Sequence, residues 1–462
     1  MPTMQTDRPS ALERFRGTLV RPQDADYERL RHVWNRTVDR RPALIARCVC
    51  PEDVAIAVAH ARQHGLPLAV RAGGHSVAGH STCDDGVVVD LSMMSAVDVD
   101  PQARHARVEG GALLGAFDAA TQAHLLAAPA GVVAHTGLGG LVLGGGFGWL
   151  SRKHGLAIDN LTAVDVVTAD GRQMRADTEH HPDLFWALRG GGGNFGVATA
   201  FEFDLHHVGA VRFAVAYHPL DDGPRVLRDW AAYMSQAPDE LTWVFYLRLA
   251  PPVPDVPKHL HGKPVLCGSA CWIGDVSEGD LALEAVRDVG RPAAVATTTL
   301  PYRSLQGYSF PSPVLPDRAY FKSGYLDRLP DAAIDALLAA GASMTSPMSQ
   351  LEVLYLGGAI SRVPADATAF GHRTSPFVAN FASAWRDPAH DSRHVAWAVD
   401  SHAALEPHMT GGGYVNFFNE SEGHRTVDAF GADNLRRLRR IKADYDPDNT
   451  FRLNTNIVPG EG

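Results

Sequence analysis

The chain has 462 residues and a formal net charge of −10, from 42 Lys and Arg against 52 Asp and Glu. Its 45% hydrophobic and 20% charged residues are an ordinary globular composition, long enough for two or three domains. The acidic balance argues against a nucleic-acid or membrane partner, because both favour basic surfaces. The first ten residues contain no apolar signal core, and no apolar run reaches the length of a membrane span. We therefore expect a soluble, cytoplasmic protein.

The first part of the chain predicts short strands and helices that alternate. Residues 42–71 are predicted as strand, helix and strand, with the helix starting at Pro51, where a missing N–H costs nothing. Further strands are predicted at 87–91, 161–168 and 197–205, a hairpin at 97–108, and helices at 113–126 and 184–188.

The pattern changes near residue 209. Strand-like runs at 211–218, 241–249, 351–360 and 377–385 are separated by helical patterns at 224–236, 278–289 and 331–340. A proline-rich stretch at 251–264 is expected to be an exposed loop, and a short strand and a helix at 434–445 are expected after Gly411. This order predicts a mostly antiparallel sheet covered by helices, in a second domain of the α+β class.

Three glycine clusters stand beside predicted strands, at 71–76, 137–148 and 189–196. Glycine lets backbone N–H groups approach a ligand closely, so such loops often hold a pyrophosphate. Residues 191–196 fit G-x-G-x-x-G, but a helix precedes them and a strand follows, which excludes a Rossmann site. The sequence has no P-loop, and we expect no metal site, because neither the histidines nor the five cysteines show ligand spacing.

His75 is the exceptional histidine, because it lies between glycines and a serine in Arg71-Ala-Gly-Gly-His75-Ser76. A turn does not need an imidazole. The imidazole at this position would be explained if its nucleophilic ring nitrogen were held over a cofactor.

These motifs resemble the FAD-linked oxidases of the vanillyl-alcohol-oxidase superfamily, and more narrowly the berberine-bridge-enzyme-like oxidases. The resemblance rests on R-A-G-G-H-S at 71–76 with V-V-D-L at 88–91, on the glycine-rich segment 137–161, and on D-L-F-W-A-L-R-G-G-G-G-N-F-G-V at 183–197. Near the end, Tyr414-Val-Asn416 and the run 445–451 resemble the family's C-terminal signature. The four motifs occur in order over nearly the whole chain.

The resemblance implies a two-domain PCMH-type FAD-binding fold of the α+β class. A discontinuous flavin domain would comprise residues 1–208, with its PCMH-type part from about 38, and residues 411–462. The central residues 209–410 would form the substrate domain. The pattern of predicted elements changes near 209 and 411, in agreement with this division.

The resemblance also implies site residues. His75 would be bonded covalently to the 8α-methyl of the flavin. The pyrophosphate loop would comprise Arg71, Ala72, Gly73, Gly74, Ser76 and Gly79. The segment along the isoalloxazine would comprise Thr136, Gly137, Leu138, Gly139, Gly140, Gly144, Gly145, Gly146 and Gly148, supported by Asp159 and Asn160. Gly193, Gly196 and Val197 would lie near the adenosine, and Tyr414 and Asn416 would border the ring.

The chain departs from the family at the second attachment point. Many relatives bind flavin through a cysteine as well, and Val133 occupies that position here. We therefore expect one covalent bond, as in the hydroxynicotine oxidase branch. Thr136 aligns near the residue that controls access of oxygen to the flavin, and its valine-like volume favours an oxidase.

A second departure concerns the catalytic base. Relatives that oxidise alcohols or sugars often carry a tyrosine where Phe417 stands. Either another residue removes the proton, or the substrate is an amine that releases hydride unaided. The candidate bases are Glu352, Tyr246 and Tyr355, with Asn380 as an orienting group, and Glu352 is favoured because an unpaired buried carboxylate is costly.

The sequence thus predicts an FAD-dependent oxidase that removes hydride from a small organic substrate, with oxygen as acceptor and hydrogen peroxide as product. One alternative is a flavin dehydrogenase that uses another acceptor. The other is a non-catalytic flavin- or ligand-binding protein, which Phe417 would favour. Neither the substrate nor the oligomeric state follows from the sequence.

Overall fold

The computed structural model describes residues 11–308, 318–422 and 425–460. The ten N-terminal residues, on which the prediction about a signal sequence rests, lie outside the described residues. Within those ranges no helix has both the length and the apolar composition that crossing a bilayer requires.

The strands are numbered in chain order as Thr18–Val20 (β1), Leu44–Arg47 (β2), Leu68–Arg71 (β3), Val87–Asp90 (β4), Val97–Asp100 (β5), His105–Glu109 (β6), Leu126–Ala127 (β7), Leu161–Val167 (β8), Gln173–Asp177 (β9), Val197–Asp204 (β10), His206–His207 (β11), Ala210–Pro219 (β12), Leu241–Leu249 (β13), Pro264–Trp272 (β14), Ala294–Pro301 (β15), Arg318–Leu326 (β16), Gln350–Tyr355 (β17) and Phe377–Trp385 (β18).

The α-helices are Tyr27–Arg31 (α1), Pro51–Gln63 (α2), Leu114–Gln122 (α3), Leu138–Leu143 (α4), Ser151–His154 (α5), Pro182–Leu188 (α6), Gly223–Met234 (α7), Gly279–Ala282 (α8), Glu284–Asp288 (α9), Tyr302–Tyr308 (α10), Asp331–Ala342 (α11), Ala359–Arg362 (α12), Asp391–Leu405 (α13), Thr426–Phe430 (α14) and Ala432–Tyr445 (α15).

Three sheets form from the first part of the chain, and the smallest is the antiparallel pair of β7 and β11. In the order β1-β2-β4-β3, strands β2, β4 and β3 are parallel and β1 pairs antiparallel with β2. The second sheet, β5-β6-β10-β8-β9, is antiparallel throughout. The predicted strand–helix–strand unit is confirmed as β2, α2 and β3, and the predicted hairpin as β5 and β6.

The central part of the chain builds a seven-stranded antiparallel sheet in the order β15-β12-β14-β13-β17-β18-β16. Its residues alternate between two environments, because successive side chains of a strand point to opposite faces. Trp243, Phe245 and Leu247 pack into a buried core with helices α7, α11 and α13. Thr242, Val244 and the next alternate residues of β13 line a cavity on the other face. The predicted helix-covered antiparallel sheet is confirmed.

Several predicted boundaries are corrected. The strand predicted at 351–360 ends at Tyr355, because Gly357 and Gly358 have φ of +55° and +58°, which no strand can continue. The helix predicted at 278–289 is divided into α8 and α9 at the buried Leu283. The short strand predicted after Gly411 is wrong. In the described part of that segment, Val415–Phe417 forms a 3₁₀ turn.

Candidate active site

The first glycine loop follows β3 and is anchored by Arg71. The buried guanidinium of Arg71 pairs with Asp90 at the end of β4 at 2.7 Å, so its side chain points away from the loop's open side. The carbonyl of Gly74 accepts a hydrogen bond from the backbone N–H of Trp34 at 3.1 Å. The loop is therefore fixed at both of these points.

The second glycine loop touches the first one through backbone atoms. A Cβ added to Gly73 would lie 2.3 Å from the nitrogen of Gly137, and one added to Gly137 would lie 2.2 Å from the nitrogen of Gly73. Because no side chain fits between these two backbone segments, glycine is required at both positions. This contact brings the segments that carry His75 and His135 together.

The C-terminal segment holds the third glycine loop. The amide of Asn194 donates to the carbonyls of Gly191 at 2.8 Å and Thr455 at 3.2 Å, and its oxygen accepts from Ile457 N–H at 2.9 Å. The buried ammonium of Lys442 donates to the Asn194 carbonyl at 2.7 Å and pairs with Asp446 at 2.6 Å. The run near 445–451 thus has a structural role beneath the loop.

The three loops and the seven-stranded sheet enclose one cavity of about 640 Å³. Its walls include most of the predicted flavin contacts, namely Ala72, Gly73, Gly74, His75, Ser76, Thr136, Gly137, Gly139, Gly140, Gly148, Gly193, Gly196, Tyr414 and Asn416. The candidate bases Glu352, Tyr246 and Tyr355 line the same cavity, as do Val133, Asn380 and Phe417. Predicted cofactor contacts and predicted bases therefore share one chamber.

Nine predicted residues lie outside the cavity lining, namely Arg71, Gly79, Leu138, Gly144, Gly145, Gly146, Asp159, Asn160 and Val197. Some of them support the second loop from behind. A Cβ on Gly146, whose φ is +73°, would lie 2.7 Å from Ala157 Cβ. Asp159 pairs with Arg373 at 2.7 Å and accepts from the Leu156 N–H at 2.8 Å, so this carboxylate ties the loop to the segment that carries Arg373.

Three further side chains fix the second loop. Asn160 donates to the carbonyls of His154 at 2.9 Å and Leu156 at 2.8 Å. Tyr414 Oη accepts from the Gly146 N–H at 3.1 Å. Asn416 Nδ2 donates to Leu141 O and to Tyr414 Oη, both at 2.9 Å. Burial raises the pKa of Tyr414 to about 12, so its phenol stays protonated at neutral pH.

His75 is held between two rings. Trp34 stacks on it with a centroid distance of 5.1 Å and an interplanar angle of 17°. His135 approaches it at a centroid distance of 4.6 Å, with its Nδ1 2.7 Å from Nε2 of His75. Burial, with His135 nearby, lowers the pKa of His75 to about 3, and burial also lowers the pKa of His135. Both imidazoles are therefore neutral at physiological pH.

Glu352 lies on the cavity face of β17, opposite Tyr246 of β13 and Asn380 of β18. Its two oxygens accept amide hydrogens from Gln350 at 2.7 Å and Asn380 at 3.0 Å. Among the described residues it has no cationic partner. Burial raises the pKa of Glu352 by more than these hydrogen bonds lower it. Such a carboxyl group is suited to accept a proton.

The two tyrosines differ in environment. Burial raises the pKa of Tyr246 far above its usual range, with Glu352 adding to the effect. Tyr355 packs edge-on against Trp230 and Phe377, and the guanidinium carbon of Arg152 lies 5.2 Å from its ring centre. These contacts make Tyr355 part of the sheet's packing as well as of the cavity wall.

Phe417 belongs to an aromatic cluster on the cavity wall. Its ring meets Tyr414 at 4.9 Å, Phe147 at 5.9 Å and Phe321 at 6.2 Å, each edge-on. The position predicted to lack a catalytic hydroxyl is thus filled by a packed apolar ring.

Comparison with known proteins identifies the family. Residues 42–177 match the family described as FAD binding domain, and residues 413–458 match the family described as berberine and berberine like. An uncharacterised FAD-linked oxidoreductase of Bacillus subtilis is 31% identical, over 96% of this chain and 98% of its own length. The chain belongs to the berberine-type FAD-linked oxidoreductases.

Relatives with known activities align with this FAD-linked oxidoreductase over nearly the whole length of both chains. The (R)-6-hydroxynicotine oxidase of Paenarthrobacter nicotinovorans is 29% identical over 96% of the chain and 97% of its own. The crystal structure of 6-hydroxy-D-nicotine oxidase from Arthrobacter nicotinovorans superposes with a TM-score of 0.85 at 25% identity, covering 96% and 98% of the two chains. A chitooligosaccharide oxidase, with a TM-score of 0.85 at 23% identity over 98% and 99%, shares the fold.

The cavity of this oxidoreductase fits FAD. A Cβ added to Gly140 or to Gly193 meets no atom within 4 Å, so any larger side chain there would occupy the cavity. Nε2 of His135 is buried without a hydrogen-bond partner in the described chain, as expected of an atom that contacts a bound cofactor. No cluster of three or more metal-ligating side chains occurs in the described residues.

Sequence reasoning missed His135, Trp34 and Gln350. His135 carried a usable signal, because it is an imidazole one residue before Thr136-Gly137 in a glycine-rich loop, the same context that singled out His75. Trp34 lies some forty residues from His75 in an irregular segment, and no local pattern connects the two. Gln350 shares the cavity face with Glu352 at the strand spacing of two.

Proposed function

We propose that this enzyme is an oxidase that removes hydride from a small organic molecule and uses dioxygen as its acceptor, with hydrogen peroxide as product. In this proposal FAD is attached covalently through His75 alone. Residues 1–208 and 411–462 form the flavin domain, and residues 209–410 form the substrate domain. When bound, the flavin supplies the two-electron redox chemistry.

The flavin is held by the three glycine loops in this proposal. Residues 72–76 offer backbone N–H groups and the His75 ring, and Gly137, Gly139 and Gly140 offer a wall without side chains. Tyr414 and Asn416 border the same wall from the C-terminal segment. The absence of a cysteine at Val133 supports a single attachment point.

The observation that carries the proposal is Glu352. A carboxyl group that has no cation beside it among the described residues, and that is held by two amide donors, faces the same cavity as the glycine loops. We propose that Glu352 takes the proton of the substrate's reacting O–H or N–H group while hydride leaves the adjacent carbon. Asn380 and Gln350 orient its two oxygens, and Tyr246 lies beside it on β13.

Dioxygen is the proposed acceptor on two grounds. Thr136 lines the cavity with a valine-sized side chain, next to Gly137. The (R)-6-hydroxynicotine oxidase of Paenarthrobacter nicotinovorans, a relative of equal extent, is an oxidase by name. The cytoplasmic location stays a prediction, as does the absence of a nucleic-acid or membrane partner.

The test is anaerobic flavin bleaching with a panel of amines, alcohols and sugars, followed by admission of air. Reduction by at least one substrate and rapid reoxidation with peroxide release are expected. A flavin that stays reduced in air would identify a dehydrogenase, and a flavin that no member bleaches would contradict the proposal for these substrate classes.

Glu352→Gln tests the base with the reactive substrate found in this way. Because a general base contributes about 10²–10⁴-fold, flavin reduction should slow at least tenfold in Glu352→Gln while flavin content stays unchanged. Phe417→Tyr is the matched control and should change the rate little. Reduction at the wild-type rate in Glu352→Gln would show that the substrate releases hydride without this carboxylate.

A further inference from the structure

His135 stands where it can act on His75 during attachment of the flavin. Its Nδ1 lies 2.7 Å from Nε2 of His75, and Trp34 stacks on the His75 ring to fix its plane. In the described chain Nδ1 of His75 has no hydrogen-bond partner, while Nε2 is engaged. Nδ1 of His75 is therefore free to react, whereas Nε2 is hydrogen-bonded to His135.

We propose that His135 is the proton acceptor that makes His75 a nucleophile toward the 8α-methyl carbon of FAD. The inference rests on the proposed covalent attachment to His75. His75 donates its Nε2 proton to Nδ1 of His135, and the lone pair of its Nδ1 forms the new bond to carbon.

Whether His75 can attack the methyl carbon depends on which of the two rings donates the hydrogen between them. Because both rings are neutral, one nitrogen of the 2.7 Å contact donates and the other accepts. If His75 donates, its Nδ1 carries a lone pair and can attack. If His135 donated instead, Nδ1 of His75 would bear the hydrogen and could not. Nε2 of His135 has no protein partner in the described residues, so no other bond prevents Nδ1 of His135 from taking the proton.

The step balances as an oxidation. The C–H bond of the methyl group breaks first, its proton passes to solvent, and its electron pair enters the ring, which makes the carbon electrophilic. The N–C bond then forms and the Nε2–H bond of His75 breaks, so two protons and two electrons are lost in total. The electrons enter the flavin ring first and are then taken by dioxygen, which is reduced to hydrogen peroxide. Dioxygen is the acceptor of the proposed activity, so no further reactant is needed.

The experiment follows attachment rather than turnover. The full-length chain, produced under riboflavin limitation, is mixed with FAD in air. Acid-precipitated protein is then assayed over time for flavin absorbance and for the added mass on the peptide that contains His75. Without its proton acceptor, His135→Ala should attach flavin about 10²–10⁴-fold more slowly while still binding FAD non-covalently. His135→Leu, which retains bulk, should behave in the same way if His135→Ala folds poorly.

Chemical rescue separates proton transfer from mere packing. Imidazole added to His135→Ala should accelerate attachment, because it can occupy the space of the missing ring and accept the proton. His124→Ala, an exposed histidine elsewhere, is the control and should attach flavin at the wild-type rate. The histidyl-flavin released by digestion should be linked through Nδ1.

Three outcomes would overturn the inference: wild-type attachment rates in a folded His135 variant, no response of His135→Ala to imidazole, or linkage through Nε2. If the wild-type protein itself holds no acid-stable flavin, then the proposed covalent attachment is wrong, and that result is distinct from a failure of His135.

Discussion

Asp118 on α3 makes the stability of this protein depend on pH. The carboxyl group is buried, its Oδ2 accepts from Gln306 Nε2 at 3.1 Å, and Gln306 Nε2 also donates to the Gly131 carbonyl at 2.8 Å. Oδ1 of Asp118 and Oε1 of Gln306 are both buried without partners in the described chain. A protonated Asp118 would satisfy both atoms by donating to Gln306, whereas a carboxylate leaves them unpaired.

The magnitude follows from the pKa. Burial raises the pKa of Asp118 from 3.8 to about 7. At 1.36 kcal/mol for a tenfold change, this corresponds to about 4 kcal/mol of folding free energy as an upper value. Between these two pKa values the folded chain binds more protons than the unfolded chain. The contribution of Asp118 to the free energy of unfolding is therefore highest below the unfolded pKa, falls as pH rises between the two pKa values, and is level above the folded pKa.

Asp118→Asn removes this dependence. The amide is isosteric with the protonated acid and can donate to Gln306 Oε1, so the variant should exceed the wild type by about 1.6 kcal/mol at about pH 5 and by up to about 4 kcal/mol at alkaline pH. Urea midpoints measured at about pH 5 and about pH 8.5 give the comparison. Asp229→Asn, an exposed aspartate of α7, is the control. An advantage of Asp118→Asn that does not grow with pH would refute the reasoning.

Two other substitutions test the loops. Gly140→Val should lower the flavin content per chain without loss of folding, because its side chain would enter the cavity. Gly209→Val is the control: a Cβ at Gly209 also meets nothing within 4 Å, and this variant should keep its flavin content. Flavin absorbance relative to protein absorbance measures both, and a full flavin content in Gly140→Val would exclude that wall as a cofactor contact. Lys442→Met should lower the free energy of unfolding by about 3–5 kcal/mol, because Asp446 would remain buried without its cation, with only the N–H groups of Thr450 and Phe451 as donors. Urea unfolding checks this, with exposed Arg440→Met as the control, and equal stability of the two variants would contradict it.

The sequence predicted those elements whose hydrophobic pattern is set by one buried face. The strand expected at 377–385 has those bounds in the structure, because all nine residues are buried and all but Asn380 are apolar or small. Helix α13 was missed, since its buried face includes His394, Ser401 and His402, which break the apolar period. Strand β15 was missed for the opposite reason: it is an edge strand with exposed threonines and little burial.

The candidate site was predictable where chemistry depends on local sequence. The loop that carries His75 stood out because an imidazole among glycines has no packing purpose, and the structure places that ring on the cavity. The resemblance to the family implies that Gly145 and Gly146 lie along the isoalloxazine. The structure shows instead that they lie behind the lining, where a Cβ on Gly145 would touch Phe370 and one on Gly146 would touch Ala157. Contacts across such sequence distances leave no local signal.

The sheet face that carries Glu352 is the strongest argument that this cavity performs chemistry. The face of the seven-stranded sheet that meets its helices is mostly apolar, so the fold does not need polar residues on the cavity face for stability. On the other face, Gln350, Glu352 and Asn380 form a hydrogen-bonded group whose carboxyl lacks a cation among the described residues. Burying such a group costs free energy that hydrogen bonds only partly offset. An apolar residue at 352 would relieve that cost, which supports the proposed role of this carboxyl group in proton transfer toward a substrate in the cavity.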